Sequence, residues 1–348
     1  MGLPNILIEF KTTASTAIKR GERGIVAVIV KEAESSVKEF ETSAEVTGYT
    51  TDNAAYIKRA FLGGVRPIKK VVVIATDTIA NALVKAETVK FDYLVGTPDL
   101  AANEATEIAT AIKAMRDNKN IKVKAVLPNS AADHEGIINF TTDDIEVGTD
   151  IFTTEEYCSR IAGLLAGTPL QESATYKVLP EVTDVPKKTK AELDTAIDAG
   201  KFEIFHDGEK VKVARAVNSL ATVGATKSED MKSIKIVDIM DLIYTDIKMT
   251  CEDNYIGKFA NNYDNKCNLI VAIKAYLETL RDEELVDTDI TVGIDLAAQT
   301  AYLKGKGIDT DSMKELDIKK ANTGTNVYLQ ATYKILNAIE DIRIKFYI

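Results

Sequence analysis

Gly24-Ile25-Val26-Ala27-Val28-Ile29-Val30 is apolar at every position. A strand with one wet face alternates polar and apolar residues, because successive side chains point to opposite sides. An unbroken apolar run therefore predicts a strand covered on both faces, as in a sheet with helices packed on each side. Lys70-Val71-Val72-Val73-Ile74-Ala75 has the same texture, and Phe91-Asp92-Tyr93-Leu94-Val95-Gly96 and Ile121-Lys122-Val123-Lys124-Ala125-Val126-Leu127 read as two further strands. Helical stretches over 53–62, 78–87 and 103–117 separate them. Asp99 or Asn103 is the expected cap of the last, and Asn118 its close. Helix and strand in alternation predict an α/β sheet with crossover helices. The segment 138–150 adds one or two short strands, and a helix over 155–165 stops at Gly167-Thr168-Pro169.

Beyond residue 170 the texture changes. Residues 178–190 hold Pro180, Pro186 and the lysines Lys187, Lys188 and Lys190, and read as an exposed connector. A short helix over 189–199 precedes two strands around Asp207-Gly208, a strong hairpin signal. Two long helices, 229–250 and 265–281, a strand over 290–294 and a helix over 296–304 follow. In 325–335, Val327, Leu329, Ala331, Tyr333 and Ile335 share one face. The expected division is an arm over 1–20, an α/β domain over 21–170, a mixed α+β domain over 171–336 and a second arm over 337–348.

Both termini carry strand alternation. Ile6, Ile8 and Phe10 share a face near the start, as do Ile342, Ile344, Phe346 and Ile348 at the end. Chain ends are ordinarily polar and frayed unless something ties them down. The pattern alone leaves two readings open: the arms pair inside their own domain, or they are donated to neighbouring copies.

The chain has 348 residues, is 45% hydrophobic and 28% charged, and carries a net charge of −10. This is the composition of a globular protein with a substantial core, and the acidic balance argues against nucleic acid as a partner. No stretch approaches the roughly 18 apolar residues of a membrane span. The start, Met1-Gly2-Leu3-Pro4-Asn5, lacks a basic region followed by an apolar run, so no secretory signal is expected. Cys158, Cys251 and Cys267 are too scattered for a disulfide framework or a zinc site, and fit a reducing compartment.

No catalytic, cofactor-binding or metal-binding residue is assigned. Gly163-Leu164-Leu165-Ala166-Gly167-Thr168-Pro169 superficially suggests a phosphate loop, but it ends a helix and lacks the Lys-Ser/Thr pair that reaches phosphate and magnesium. Gly63-Gly64 reads as a tight helix-to-strand turn. Asp133-His134-Glu135 has metal-ligand chemistry but no second ligand group in sequence. No histidine lies close in sequence to a cysteine to activate it. Asp143-Asp144, Asp238 with Asp241, and Glu283-Glu284 read as solvated faces. Ile236, Met240, Ile243 and Ile247 form a core stripe.

Segment order carries a resemblance. Arg160 to Pro169 with Ala174 to Pro180, Val211 to Leu220, the helix Lys235 to Lys248 with Tyr255-Ile256-Gly257-Lys258, and the ending Ala338 to Ile344 together resemble the contractile tail sheath proteins of phages and R-type bacteriocins. The turn Gly21-Glu22-Arg23-Gly24 fits as well. The chain looks most like a compact sheath of a Gram-positive phage-like particle, such as a clostridial bacteriocin. The resemblance implies a multi-domain sheath fold, and hexameric rings stacked helically around a rigid inner tube. It also implies terminal arms that complete a small sheet on a neighbouring subunit, and contraction from a metastable extended state with no enzymatic activity and no cofactor. The implied partners are further copies, the tail tube protein, and the baseplate and tail terminator proteins, with no nucleic acid and no membrane insertion. Assembly is expected in the bacterial cytoplasm, followed by release as an extracellular particle. Lys304 and Lys306 are candidate tube contacts, with a solvated helix end as the other explanation. The alternative is an α/β ligand-binding module or enzyme whose site is built from non-local residues.

Overall fold

Strand β1 (Ile25–Lys31) is buried from Ile25 to Val30, and its two faces enter two separate cores. The structure is a computed structural model and describes residues 17–224 and 227–348. The described residues form two compact units, one of residues 21–244 with 337–348 and one of 245–336 with 17–20.

The first, α/β unit continues from β1 through β2 (Ser36–Phe40), α1 (Thr51–Ala60), β3 (Lys70–Thr76), α2 (Ile79–Ala86), β4 (Tyr93–Val95), α3 (Ala102–Asp117), β5 (Lys124–Pro128) and β6 (Ile137–Phe140). Then come β7 (Ile145–Val147), β8 (Asp150–Phe152), α4 (Thr154–Ala166), α5 (Lys190–Asp198), β9 (Lys201–Phe202), β10 (Ile204–His206), β11 (Val211–Val213) and the first part of α6 (Ile234–Asn254). Seven strands form one sheet in the order β2-β3-β1-β4-β5-β6-β9, parallel except for β2. Val26, Val28 and Val30 pack with Tyr56, Ile57 and Ala60 of α1 and Tyr157, Ile161 and Ala162 of α4. Ile25, Ala27 and Ile29 pack with Ile79 and Leu83 of α2 and Ile108, Ile112 and Met115 of α3. Each such side chain contributes about 1.5–3 kcal/mol on burial, so β1 is fixed from both sides.

The four strands, the three helices expected between them and the helix expected over 155–165 are present, with local corrections. The strand expected over 121–127 starts at Lys124, and the cap of α3 is neither Asp99 nor Asn103. Ala101 stands there, its N–H taken by Glu104 Oε2 at 3.0 Å. Strand β2 had no sequence signal, because its two apolar residues, Val37 and Phe40, fall on opposite faces among polar neighbours and make no alternation. The hairpin around Asp207-Gly208 is β10–β11, pairing Ile204 with Val213. Lys201-Phe202 leaves it to become the last strand of the main sheet.

The expected boundary at 170/171 is not where the compact units part, and of the connector expected over 178–190 only 186–190 is exposed throughout. Leu179, Val182 and Val185 are buried in the core that holds Val26 and Val28. Leu179 N donates to Val211 O at 2.9 Å, and Thr183 N to Glu146 O at 2.8 Å. The prolines bar regular structure there, while apolar residues at every third position still face inward.

The second unit takes in the rest of α6, then α7 (Tyr263–Asp282), β12 (Thr291–Ile294), α8 (Leu296–Gly305), α9 (Glu315–Lys320) and β13 (Leu329–Thr332). Strands β12 and β13 pair antiparallel, Thr291 with Thr332 and Ile294 with Leu329. The strand expected over 325–335 is thus shorter, continued by an isolated bridge between Val286 and Ile335.

Candidate assembly surface

The C-terminal segment is gripped at its root and free beyond it. Glu340 Oε1 accepts from Ser173 Oγ at 2.7 Å and Thr175 Oγ1 at 2.8 Å, and Glu340 Oε2 accepts from Arg215 Nε at 2.9 Å. Arg215 Nη2 reaches on to Asp341 Oδ2 at 2.6 Å, and this bond, with Glu340 beside it, raises the Arg215 pKa. Downstream, Ile342, Ile344 and Phe346 are 73%, 68% and 85% exposed, and Ile348 is fully exposed. Residues 337–348 form no strand with any described residue of this chain. An alternating segment cannot build a ladder without a partner edge. Ile6, Ile8 and Phe10, the face read for the other arm, lie outside the described residues. Where description begins, Ala17, Ile18 and Arg20 border a groove of about 470 Å³ on α7, and Arg20 Nη1 lies 2.7 Å from Glu283 Oε2.

The β12–β13 pair is a two-stranded sheet among the described residues, with an open edge on each strand. Such a pair is marginal on its own. Beside it runs a groove of about 850 Å³ lined by Tyr255, Ile256, Phe259, Leu269, Val327 and Leu329. Ile256, Phe259 and Val327 are exposed there. The candidate tube contacts sit elsewhere in this unit, at the end of α8. Lys304 Nζ is 2.7 Å from Asp311 Oδ1, a bond that raises its pKa, and Lys306 Nζ stands 5.7 Å over the Tyr302 ring. Each has a partner within its own chain.

The acids Asp238 and Asp241 are not a solvated face. Both are buried, on α6. Asp241 accepts from Lys124 Nζ at 2.6 Å and from Arg116 Nη1 and Nη2 at 2.8 and 2.9 Å. Asp238 takes Lys124 Nζ at 2.9 Å, Tyr93 Oη at 2.8 Å and Arg23 Nη2 at 3.2 Å. Burial alone pushes the Asp241 carboxyl up; Lys124 and Arg116 override it and hold it below its ordinary value. The network ties α6 to β5 and α3. A sequence signal existed, in one lysine, Lys124, heading an apolar strand and two aspartates three apart on a helix.

Asp117, His134 and Glu135 bring three ligand atoms within 4.8 Å of one another. The donor set nevertheless does not suit a metal. His134 Nδ1 accepts from Gly136 N at 3.0 Å, which places the neutral ring's proton on Nε2, and Nε2 faces Asp117 Oδ2 at 3.3 Å. Coordination through Nε2 would move the ring proton to Nδ1 and break the Gly136 bond. Glu135 is already taken by Lys227 Nζ at 2.8 Å. Asp133 Oδ1 accepts from Ala221 N and Thr222 N at 2.7 and 2.9 Å, which draws its pKa down to about 2. The cluster is a loop tie. Cys158 is buried, and burial pushes its thiol up, opposite to what a nucleophile needs.

The glycines of the loop that suggests phosphate binding serve packing. A Cβ on Gly163 would lie 2.1 Å from Ala60 O, and one on Gly167 2.4 Å from Arg66 O. Parallel sheets carry ligands where strand order reverses, here between β1 and β4. At that position Lys31 Nζ lies 3.0 Å from Glu104 Oε1 and 3.7 Å from Asp99 Oδ1, and Glu104 also occupies the first turn of α3.

Comparison with known proteins accords with this geometry. The family model "Phage tail sheath protein central domain" matches residues 73–219, and "Phage tail sheath C-terminal domain" matches 226–348. The tail sheath protein of Clostridium phage phiCD119 is 41% identical over 353 residues, covering 99% of both chains. Among solved structures, the sheath tail protein of Desulfitobacterium hafniense superposes with a TM-score of 0.70 at 19% identity, over 84% of this chain and 94% of that one. The anti-feeding prophage helical sheath in its contracted state superposes with a TM-score of 0.73 at 13% identity, over 100% and 99%. These structures share the mixed α/β fold.

Proposed function

The chain belongs to the phage tail sheath family, and from that premise we propose how this structural subunit of a contractile tail assembles and works. Copies form hexameric rings that stack helically around an inner tube, with a baseplate at one end and a terminator at the other. Assembly takes place in the bacterial cytoplasm, and the finished particle acts outside the cell that made it. The subunit is not an enzyme; it works by relaxing from a metastable extended packing. Residues 1–20, with Ile6, Ile8 and Phe10, and 337–348, with Ile342, Ile344, Phe346 and Ile348, are arms that add strands to the β12–β13 sheet of neighbouring copies. Arms passed head to tail make heterologous contacts, which generate rings and helices instead of closed dimers. Lys304 and Lys306 remain the proposed tube contacts, with the intramolecular Asp311 and Tyr302 contacts exchanged for tube groups.

The observation that carries this reading is the apolar face of 342–348, held out in solvent by a well-anchored Glu340. A soluble chain gains nothing from such a face unless another copy covers it. The whole-length likeness to a tail sheath protein favours assembly over a ligand-binding module. Deleting 342–348 is the test. The truncated chain is expected to be soluble and to unfold cooperatively, yet to make no tubes under the electron microscope where the full chain does. An insoluble or unfolded truncation would make the segment an internal core strand and sink the arm reading.

A further inference from the structure

Between β13 and the arm the chain is tied down twice. The first tie belongs to the second unit: Leu336 N donates to Leu285 O at 3.0 Å, Asp287 N donates to Lys334 O at 2.8 Å, and Val286 bridges Ile335. The second tie comes at Glu340, and it belongs to the α/β unit. There the carboxylate takes Ser173 Oγ at 2.7 Å, Thr175 Oγ1 at 2.8 Å and Arg215 Nε at 2.9 Å. The socket around it is braced by its own backbone. Thr175 N donates to Ser173 Oγ at 3.1 Å, and Ala216 N to Thr175 Oγ1 at 3.0 Å. On either side of this peg the chain is bare, Ile339 being 88% exposed and Ile342 73%. Glu340 is thus held by its head, with Asp341 on Arg215 as its companion.

A two-stranded pair such as β12–β13 is marginal on its own, and a strand followed by a loose segment frays from that side. A peg four residues beyond Leu336 changes the balance. Residues that open while held at both ends must close a loop, so they gain less entropy than a free tail does. Bonds to a charged group are also the stronger ones. We propose that Glu340 is a positioning residue for assembly: by pinning the chain in the Ser173–Thr175–Arg215 socket it keeps β13 paired with β12. The bonds that present the arm thereby also keep formed the sheet on which neighbouring arms are proposed to add strands. A subunit ready to donate is then ready to receive. The link to assembly rests on the arm reading, whereas the effect on β13 is a property of the single chain.

The test uses the whole chain and reads amide hydrogen exchange in the monomer together with the threshold concentration for tube formation. Glu340→Ala/Asp341→Ala removes both acids from Arg215. Exchange over 329–336 is expected to rise about tenfold, the weight of one charge-assisted contact, while 25–30 in the main sheet exchanges as in the wild type. The threshold for tubes is expected to rise as well, although every apolar residue of 342–348 is intact. Glu340→Gln keeps an oxygen for Ser173 and Thr175 but loses the charge, and should fall between. Unchanged exchange over 329–336 overturns the inference. Faster exchange there with an unchanged threshold breaks the link to assembly and overturns it too. Faster exchange over 25–30 as well would make the peg a general support of the α/β unit, which is equally fatal. If deletion of 342–348 leaves polymerisation intact, the arm reading itself falls, and the monomer exchange still decides what Glu340 does for β13.

Discussion

Asp241 lies within 2.9 Å of both Lys124 and Arg116, all three side chains being buried. Removing one partner of such a group leaves the others charged and dry, which typically costs about 3–5 kcal/mol, whereas replacing the whole set by apolar residues can be neutral. Asp241→Ala is therefore expected to lower the unfolding free energy by an amount in that range, seen as a lower urea midpoint. The Lys124→Met/Asp241→Leu pair should lose less than the sum of its single changes. The sign with pH follows from the depressed carboxyl. Its folded value lies below the unfolded one of about 3.9, so its stabilisation is full above that value and fades as pH falls through the folded one. Asp241→Ala should thus flatten the acid limb of the stability curve. A midpoint unchanged by the substitution would sink this account. At this scale the sequence was least legible. The pattern at 238 and 241 matched a wet helix face, because nothing local shows that cations from β5 and α3 converge there.

Elements were far more legible, since period and punctuation are local. Runs such as 25–30 name a two-sided strand directly, and Thr153 with Glu156 caps α4 by reciprocal bonds. Strand β2 and the segment 178–190 were misread or missed because their structure is decided by non-local partners, namely Val71 to Ala75 for the one and Val211 and Glu146 for the other. The crossing of α1 and α4 lends itself to a test. Gly→Ala inside an open helix gains about 1 kcal/mol of propensity, but a Cβ on Gly163 would stand 2.1 Å from Ala60 O and 2.8 Å from its carbonyl carbon. Backbone on both sides leaves no flexible neighbour to give way, and such overpacking costs about 1–3 kcal/mol or more. The steric loss wins. Gly163→Ala is expected to lower stability by about 2 kcal/mol net in chemical denaturation. Gly305→Ala, which meets nothing within 4 Å at the end of α8, should be neutral or slightly stabilising. Equal effects at the two sites would refute the close-crossing role of Gly163.

At the scale of the whole molecule, domain division was read in the wrong place, because a composition change at 170 says nothing about where side chains pack. The sheath reading came through all the same, since it rested on the order of segments along the chain, and the two sheath family models match over 73–219 and 226–348. It leads to a prediction about energy. The sequence holds no Gly-rich loop ending in Lys-Ser/Thr, and at the reversal point of the sheet Lys31 is paired with Glu104 and Asp99. The work of contraction is then expected to come from the packing between subunits, set when the sheath polymerises around the tube in a kinetically trapped state. Three consequences follow from a downhill, one-way relaxation. Subunits polymerised without a tube have no template for the trapped form, and should assemble directly into the wide, contracted one. That form should melt well above the extended sheath, because each subunit has gained lateral contacts. Heating extended particles in a calorimeter should show an exothermic step before the unfolding endotherm, unchanged by added ATP. Particles that cycle readily between the two lengths at constant temperature and pH, or that shorten only when nucleotide is supplied, would show that the energy enters from outside the lattice.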